Sequence, residues 1–466
     1  MPEKSGLLNK QIKLPFAGVT KKIPARTPQV FALLAAGLFV LAPAAMAVCG
    51  IINRSVDGVL LFHPRFIKSY IWPAAAVCAL LAMITAFLNL RNYGGGVFKR
   101  LKSAPVFALF AALALWMLIS QTVNEWGYLA RYGAEGREET AFMQLGCIAL
   151  LFPAGALITG KTAKLRLVRL HLAVSILLVV CAFTVWKADS KLSLITEWRS
   201  CFSSIYTNTN YYGYYLSLSV PAAAACLVLE NRARWKIFAA AALAANSAAL
   251  YINSTTGAWV ACAFALVFVF FTRLYIEKKF NLYVALSVAV FAASMLVTHF
   301  ILRAGGAPEA NAGNVEKLVS DIGSIIKGAE SAPRAGSGRW GIWKAVVTLI
   351  GEKPVFGYGM EALYTGGLES AVQNTRPHNE FLQYALFYGV PAALLYVCGC
   401  LSVFLRGRRL RAKLCPAAYI CLAAAFGYLV SSFFGNTLYC INPLFFLFLG
   451  MGYGQTGNAD EPPRGE

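Results

Sequence analysis

The sequence predicts an all-α membrane protein of about twelve transmembrane helices, with one large extracytoplasmic loop between the ninth and the tenth. Three observations carry that prediction. Hydrophobic residues make up 58% of the 466 and charged ones only 14%, and the mean hydropathy is positive, which is not the balance of a water-soluble domain. Apolar runs recur along the whole chain at about the length a helix needs to cross ~30 Å of hydrocarbon at ~1.5 Å per residue. The basic residues, finally, alternate from one connection to the next. With the N-terminus taken as cytoplasmic, that side collects 26 Lys and Arg against 6 Asp and Glu, and the other side 16 against 15. This is the positive-inside pattern. It accounts for the net charge of +21 as a topology feature, and no nucleic-acid partner is called for.

In chain order, residues 1–28 form a basic cytoplasmic tail (Lys4, Lys10, Lys13, Lys21, Lys22, Arg26) with no small-residue cleavage site after it. Nine spans follow within 29–301, at about 29–49, 70–90, 104–122, 140–159, 167–186, 211–229, 237–252, 257–272 and 282–301. Residues 302–381 form the large outer loop, 382–454 hold spans at about 382–405, 415–433 and 441–454, and 455–466 form a cytoplasmic tail. An even number of spans puts both termini on one side. The short basic links KTAKLRLVR (161–169) and RGRRLRAK (406–413) suit acidic lipid headgroups as well as topology. Most of the twelve cysteines lie inside spans, where they act as small apolar residues, and Cys398-x-Cys400 lacks the spacing of a metal site. No metal or cofactor is implied.

A loop of nearly eighty residues among short connections is where function is to be sought. Within it, VEKLVSDIGSIIK (315–327) places Val315, Leu318, Val319, Ile322, Ile325 and Ile326 on one helical face, as in a helix lying on a membrane surface. A second helix, RWGIWKAVVTLIGE (339–352), has Ser337 as a candidate cap and Pro354 as a stop, with Trp340 and Trp343 as interfacial anchors. Arg339 falls in its first turn, where free backbone N–H groups and the helix dipole favour phosphate; a solvated arginine with a structural partner fits the same position.

The loop ends in TRPHNEFLQYALFYG (375–389). Pro377 at the first helical position would make Arg376 the boundary residue and put His378, Asn379 and Glu380 in the first turn. The positive end of that helix, with Arg376 beside it, disfavours an imidazolium and leaves His378 able to accept a proton from a hydroxyl nucleophile. Glu380 either orients His378 or caps the helix. His63, His171 and His299 have no comparable cluster and read as structural. Two further outer stretches are polar. RSCFSSIYTNTNYYGYYLSLSVP (199–221) offers Arg199, Asn208, Asn210 and several tyrosines, suited to sugar recognition or to interfacial anchoring. The turn NSTTG (253–257) offers hydroxyl and amide groups for a helix cap or a ligand contact.

Four of these pieces together resemble the O-antigen ligase and polymerase superfamily of bacterial membrane glycosyl-transfer enzymes. They are NTNYYG (208–213), STTGAW (254–259), SGRWGIWKAVVTLIGEKPVFGYGM (337–360) and PHNEFLQYALFYGVPA (377–392). The last two are the most specific, carrying K-P-x-x-G-x-G and H-N-x-x-L-Q in that order. The similarity runs over roughly residues 195 to 450; the N-terminal third matches only as a topology.

The resemblance implies a C-type glycosyltransferase-like architecture in the bacterial cytoplasmic membrane with its active site under the large outer loop. The donor would be an undecaprenyl-diphosphate-linked glycan and the acceptor a glycan or lipid-linked hydroxyl, with membrane lipids around them. His378 would activate the acceptor. Arg339, and with a weaker match Arg199, would grip the diphosphate, while Asn379, Glu380, Gln383, Asn210 and Thr256 would contact or orient substrate. The family often has arginine in the hairpin where this chain has Thr256, so Arg376 or Arg303 would have to supply that contact. Such a transfer needs a base and two or more cations. Ligase and polymerase share these residues. A lipid-linked oligosaccharide flippase or transporter is the alternative, but it would be expected to show internal repeats and ionisable residues deep in its spans.

Overall fold

A computed structural model describes residues 24, 26–57, 67–92, 105–134, 138–189, 202–206, 208–277, 281–304, 320, 323–324, 327, 336, 338–365, 368, 372, 376–409 and 415–454. Among the described residues the protein is all-helical, without strands. The main elements are α1 (Thr27–Asp57), α2 (Trp72–Asn92, preceded by a π-turn at Ile67–Ile71), α3 (Pro105–Val123) and α4 (Ala141–Leu157). They continue with α5 (Lys161–Asp189), α6 (Thr209–Leu229), α7 (Ala233–Asn253), α8 (Thr256–Glu277) and α9 (Leu282–Ala304). In the large loop lies α10 (Arg339–Glu352), followed by α11 (Glu380–Tyr388), α12 (Val390–Arg409), α13 (Pro416–Ser431) and α14 (Asn442–Tyr453). The surface helix expected over 315–327 lies largely outside the described residues, as do Arg199, His63 and Ser337.

Each of the twelve apolar runs coincides with helix. Among the described residues nine are long and apolar enough to cross a membrane, while Ala141–Leu157, Val390–Arg406 and Asn442–Tyr453 are shorter. The chain is thus a multi-pass membrane protein. The shortenings have local causes. In α4 the helix widens into a π-turn over Cys147–Leu151, just before Pro153, whose missing N–H interrupts the ordinary ladder. The span expected at 382–405 is two helices: α11 stops at Gly389, whose φ of 87° is in the left-handed region, and Pro391 follows at the start of α12.

Helix α6 is the axis of the bundle. From Tyr212 to Leu229 it is buried, with α5, α7, α8, α9 and α13 packed around it. By contrast Leu282, Leu286, Val288, Leu296, Val297, Phe300 and Ile301 of α9 are exposed, as they would be toward lipid. Tight crossings use small residues, as in membrane helix pairs generally. A Cβ on Gly155 of α4 would meet the backbone of Leu447 and Gly450 in α14. Two of the histidines read as structural are side-chain partners within the bundle: His171 Nε2 lies 3.0 Å from Ser219 Oγ, and His299 Nδ1 lies 2.8 Å from Tyr251 Oη.

Candidate active site

The motif K-P-x-x-G-x-G is a clamp. After α10 ends, Lys353 to Gly359 run along the C-terminal turn of α11: Tyr358 N–H donates to Leu386 O (2.8 Å), Gly359 N–H to Phe387 O (2.9 Å), and Val390 N–H donates back to Pro354 O (2.7 Å). These bonds satisfy carbonyls that a helix end leaves without partners. A side chain on Gly357 (φ 63°) would collide with the backbone of Leu386, Phe387 and Gly389, and one on Gly389 (φ 87°) with the backbone of Val355 and Phe356. From the other side α3 grips the same segment. Ser120 Oγ and Asn124 Nδ2 both donate to Phe356 O (2.6 and 2.9 Å), Trp116 stacks on Phe356, and Met360 N–H donates to Gln121 Oε1 (2.9 Å). The return of the large loop to the bundle is therefore rigid.

At the other end of α11 stands His378. The expectation that Pro377 opens the helix is corrected: α11 begins at Glu380, with Asn379 as its N-cap accepting from Leu382 N–H (3.0 Å). An asparagine side chain makes a better cap than any group Pro377 could offer. His378 sits one residue earlier in a left-handed turn (φ 51°), and its N–H donates to Asn436 Oδ1 (2.8 Å). Non-glycine residues hold such a backbone at a cost, and they cluster at active sites. His378 is half-buried while Arg376, Pro377, Asn379 and Glu380 around it are buried.

Beneath this turn lies a polar network of buried side chains. Arg376 Nη1 donates to Glu139 Oε2 (2.8 Å) and to Thr437 O (3.0 Å), and Nη2 pairs with Glu361. Glu139 Oε1 accepts from Gln144 Nε2 (3.0 Å), Gln144 Oε1 accepts from Tyr388 Oη (2.8 Å), and Gln383 is joined to Thr437 in both directions (2.6 and 3.1 Å). Burial alone would lower the basicity of Arg376, but the carboxylates of Glu361 and Glu139 outweigh it and raise its pKa above the ordinary guanidinium value. Glu380, fully buried, turns away from the cap: its Oε1 accepts from Tyr396 Oη (2.9 Å) and Asn442 Nδ2 (3.5 Å), and its Oε2 from Tyr428 Oη (3.1 Å). Burial pushes its carboxyl up to about 7, against the opposing effect of the two tyrosine bonds.

The remaining candidates border the same end of the bundle. Asn210 lies in the first turn of α6, where Asn208 caps its N–H (2.8 Å). The 253–257 turn is pinned to that helix start: Asn253 Nδ2 donates to Phe202 O and Thr209 O (3.0 and 2.9 Å), and Thr255 Oγ1 to Thr209 O (3.4 Å). Thr256 opens α8, half-buried. Tyr214 Oη donates to Phe434 O (2.9 Å), two residues before the Asn436 that holds His378. Arg339 is the first residue of α10, in electrostatic reach of Tyr214, and its Nη1 donates to Gly336 O (3.2 Å). Its helix has Gly338 as N-cap. Arg303 is exposed at the end of α9. Residues in or near the first turns of α6, α8 and α11 thus gather around the 432–436 segment.

Sequence reasoning missed Glu139, Gln144, Glu361, Asn436, Thr437 and the clamp residues Gln121 and Asn124. Apart from Glu361, which lies within the large loop, they stand at or just beyond the ends of apolar runs, on the side opposite the basic links. That placement was visible; their meeting in space was not.

Residues 238–397, from α7 through the large loop into α12, match the family model for O-antigen ligase. No curated protein matches the chain. The matched stretch contains Thr256, Arg339, the K-P-x-x-G-x-G segment, Arg376 and His378, and it supports the similarity of this chain to the O-antigen ligase and polymerase superfamily.

Proposed function

We propose that the protein transfers a glycan from an undecaprenyl-diphosphate donor to an acceptor hydroxyl at the outer face of the bacterial cytoplasmic membrane. His378 takes the proton of the acceptor hydroxyl as its oxygen bonds to the anomeric carbon. The bond from that carbon to the phosphate oxygen breaks, and the diphosphate lipid leaves with the electron pair. Arg339 steadies the negative charge of the leaving diphosphate, helped by the helix starts that gather nearby. The observation that supports this reading most is a half-buried histidine in a left-handed turn, held over a buried polar network by Asn436 and adjacent to the family's matched motifs.

Arg376 has a different part from the one the resemblance suggests. With two carboxylates on its guanidinium and almost no exposure, it supports the His378 turn from below rather than meeting phosphate. Asn210 and Thr256 border the acceptor or donor sugar, and Gln383 orients the loop that carries Asn436.

The test is reconstitution of the purified protein in lipid vesicles with a polyprenyl-diphosphate glycan and an acceptor, scored by chain length and by transfer. His378→Ala is expected to lower transfer by about a thousandfold, within the range for a general base, and Arg339→Ala to weaken it strongly. Full transfer by the His378→Ala protein overturns the assignment. Movement of the lipid-linked glycan across the vesicle wall without transfer would favour the flippase instead.

A further inference from the structure

We propose that Glu380 is the positioning residue of the catalytic turn, anchoring the start of α11 to α12, α13 and α14 at once so that His378 meets the acceptor in one orientation. The inference rests on the reading of His378 as the base, and it deepens it.

Three features of the chain meet here. Glu380 is the first residue of α11 and stands two residues from His378, so its side chain acts on the turn through only one intervening residue. Its carboxyl is fully buried, and its two oxygens accept from groups on three different helices: Tyr396 on α12, Tyr428 on α13 and Asn442 on α14. The capping role is already filled by Asn379, so Glu380 is not needed to satisfy the helix start. An acid at the first turn is favoured by the helix dipole, yet an exposed one would gain that much. Burying it makes sense as a fixed point, since a carboxyl with three donors converts three helix positions into one local geometry. Tyr384 and Tyr396 stack with centroids 4.4 Å apart, which holds the α12 donor in place. The other end of α11 is held by the clamp on Leu386 and Phe387. A rod of nine residues fixed at both ends leaves the His378 turn little freedom.

The test uses full-length protein in vesicles and reads His378 in two independent ways. One is transfer kinetics. The other is carbethoxylation of His378 by diethyl pyrocarbonate, followed by peptide mass analysis, which needs no substrate. Glu380→Ala is expected to lower kcat about a hundredfold at nearly constant KM, because small misplacement of a catalytic group carries that cost, and to change the His378 labelling rate several-fold. Glu380→Gln, which can still accept from one tyrosine and donate to the other, is expected to restore both. Tyr428→Phe and Tyr396→Phe remove single anchors and give smaller changes in the same direction, and they carry the test if Glu380→Ala does not fold. Unchanged labelling and unchanged kcat in folded Glu380→Ala, or in both tyrosine variants, overturn the proposal. If wild type shows no transfer but the labelling changes as expected, the functional reading fails and the positioning stands.

Discussion

The two ends of the helix bundle handle charge in opposite ways. At the end of Lys164 and Arg406, four cations each have a neutral or a single acidic partner. Lys164 Nζ donates to Gly454 O (2.7 Å), Arg169 pairs with Glu230 (2.7 Å) and lies over Trp235, Arg406 bonds Tyr453 and lies over its ring, and Lys236 sits over Tyr283. At the end of His378, Arg376 faces two carboxylates, and Glu380 is held by hydroxyls and an amide. At one end these four cations are matched one by one; at the other a surplus of acid is buried around Arg376. Structural charge is cheapest when locally neutral, so a surplus kept in place at one end marks where chemistry is arranged.

The comparison can be broken most easily at its centre. Arg376→Ala leaves Glu139 and Glu361 buried without their common cation, and a loss of about 3–5 kcal/mol in stability is expected, measured as the thermal unfolding of detergent-solubilised protein; a loss under 1 kcal/mol would mean that the carboxylates find other partners. Next comes pH. The folded-state pKa of Glu380 is raised from 4.5 to about 7, so the folded protein holds a proton that the unfolded chain releases. Its stabilising share is therefore full below about 4.5 and is lost as pH rises through about 7, by at most about 3 kcal/mol. The groups facing this carboxyl are Tyr384, Tyr396, Tyr428, Asn442 and the neighbouring Glu139, and Glu380→Gln should flatten that slope. At the other end, Lys164→Met should cost about 2 kcal/mol, the worth of one charged hydrogen bond, and leave transfer unchanged. Lys236→Ala should cost no more than about 1 kcal/mol. Transfer lost in either of these last two would erase the distinction between the ends.

Much of this was legible in the sequence, and what was not has a common reason. Among the described residues each apolar run coincides with helix, because lipid imposes length and composition on a span. His378 was legible from its neighbours, since few reasons exist to place Arg, His, Asn and Glu at the head of an apolar helix. The helix start was misplaced by one cap: Pro377 and Asn379 both announce a beginning, and only the geometry shows that the asparagine bonds Leu382 N–H. Arg376 was chemically visible and functionally ambiguous, because its partners come from 237 residues earlier and 15 residues earlier in the chain. Glu139 lies in a connection that the family match does not reach, so neither local pattern nor motif points to it. Spacing in a sequence reports helix faces; it does not report which distant loop closes on them.

The clamp at Gly357 and Gly389 has a consequence for how such a chain diversifies. The framework holds the loop's return at 353–361 and at 376–379, through bonds to α3, α11 and the 436–437 turn. The bonds that hold the histidine and its supports come from α3, α11 and the 436–437 turn, none of which belongs to the stretch between α9 and α10, so rewriting that stretch to suit a different sugar should leave them where they are. Grafting that stretch from a relative with another glycan should alter which donor is accepted and leave the pH dependence of transfer as it was.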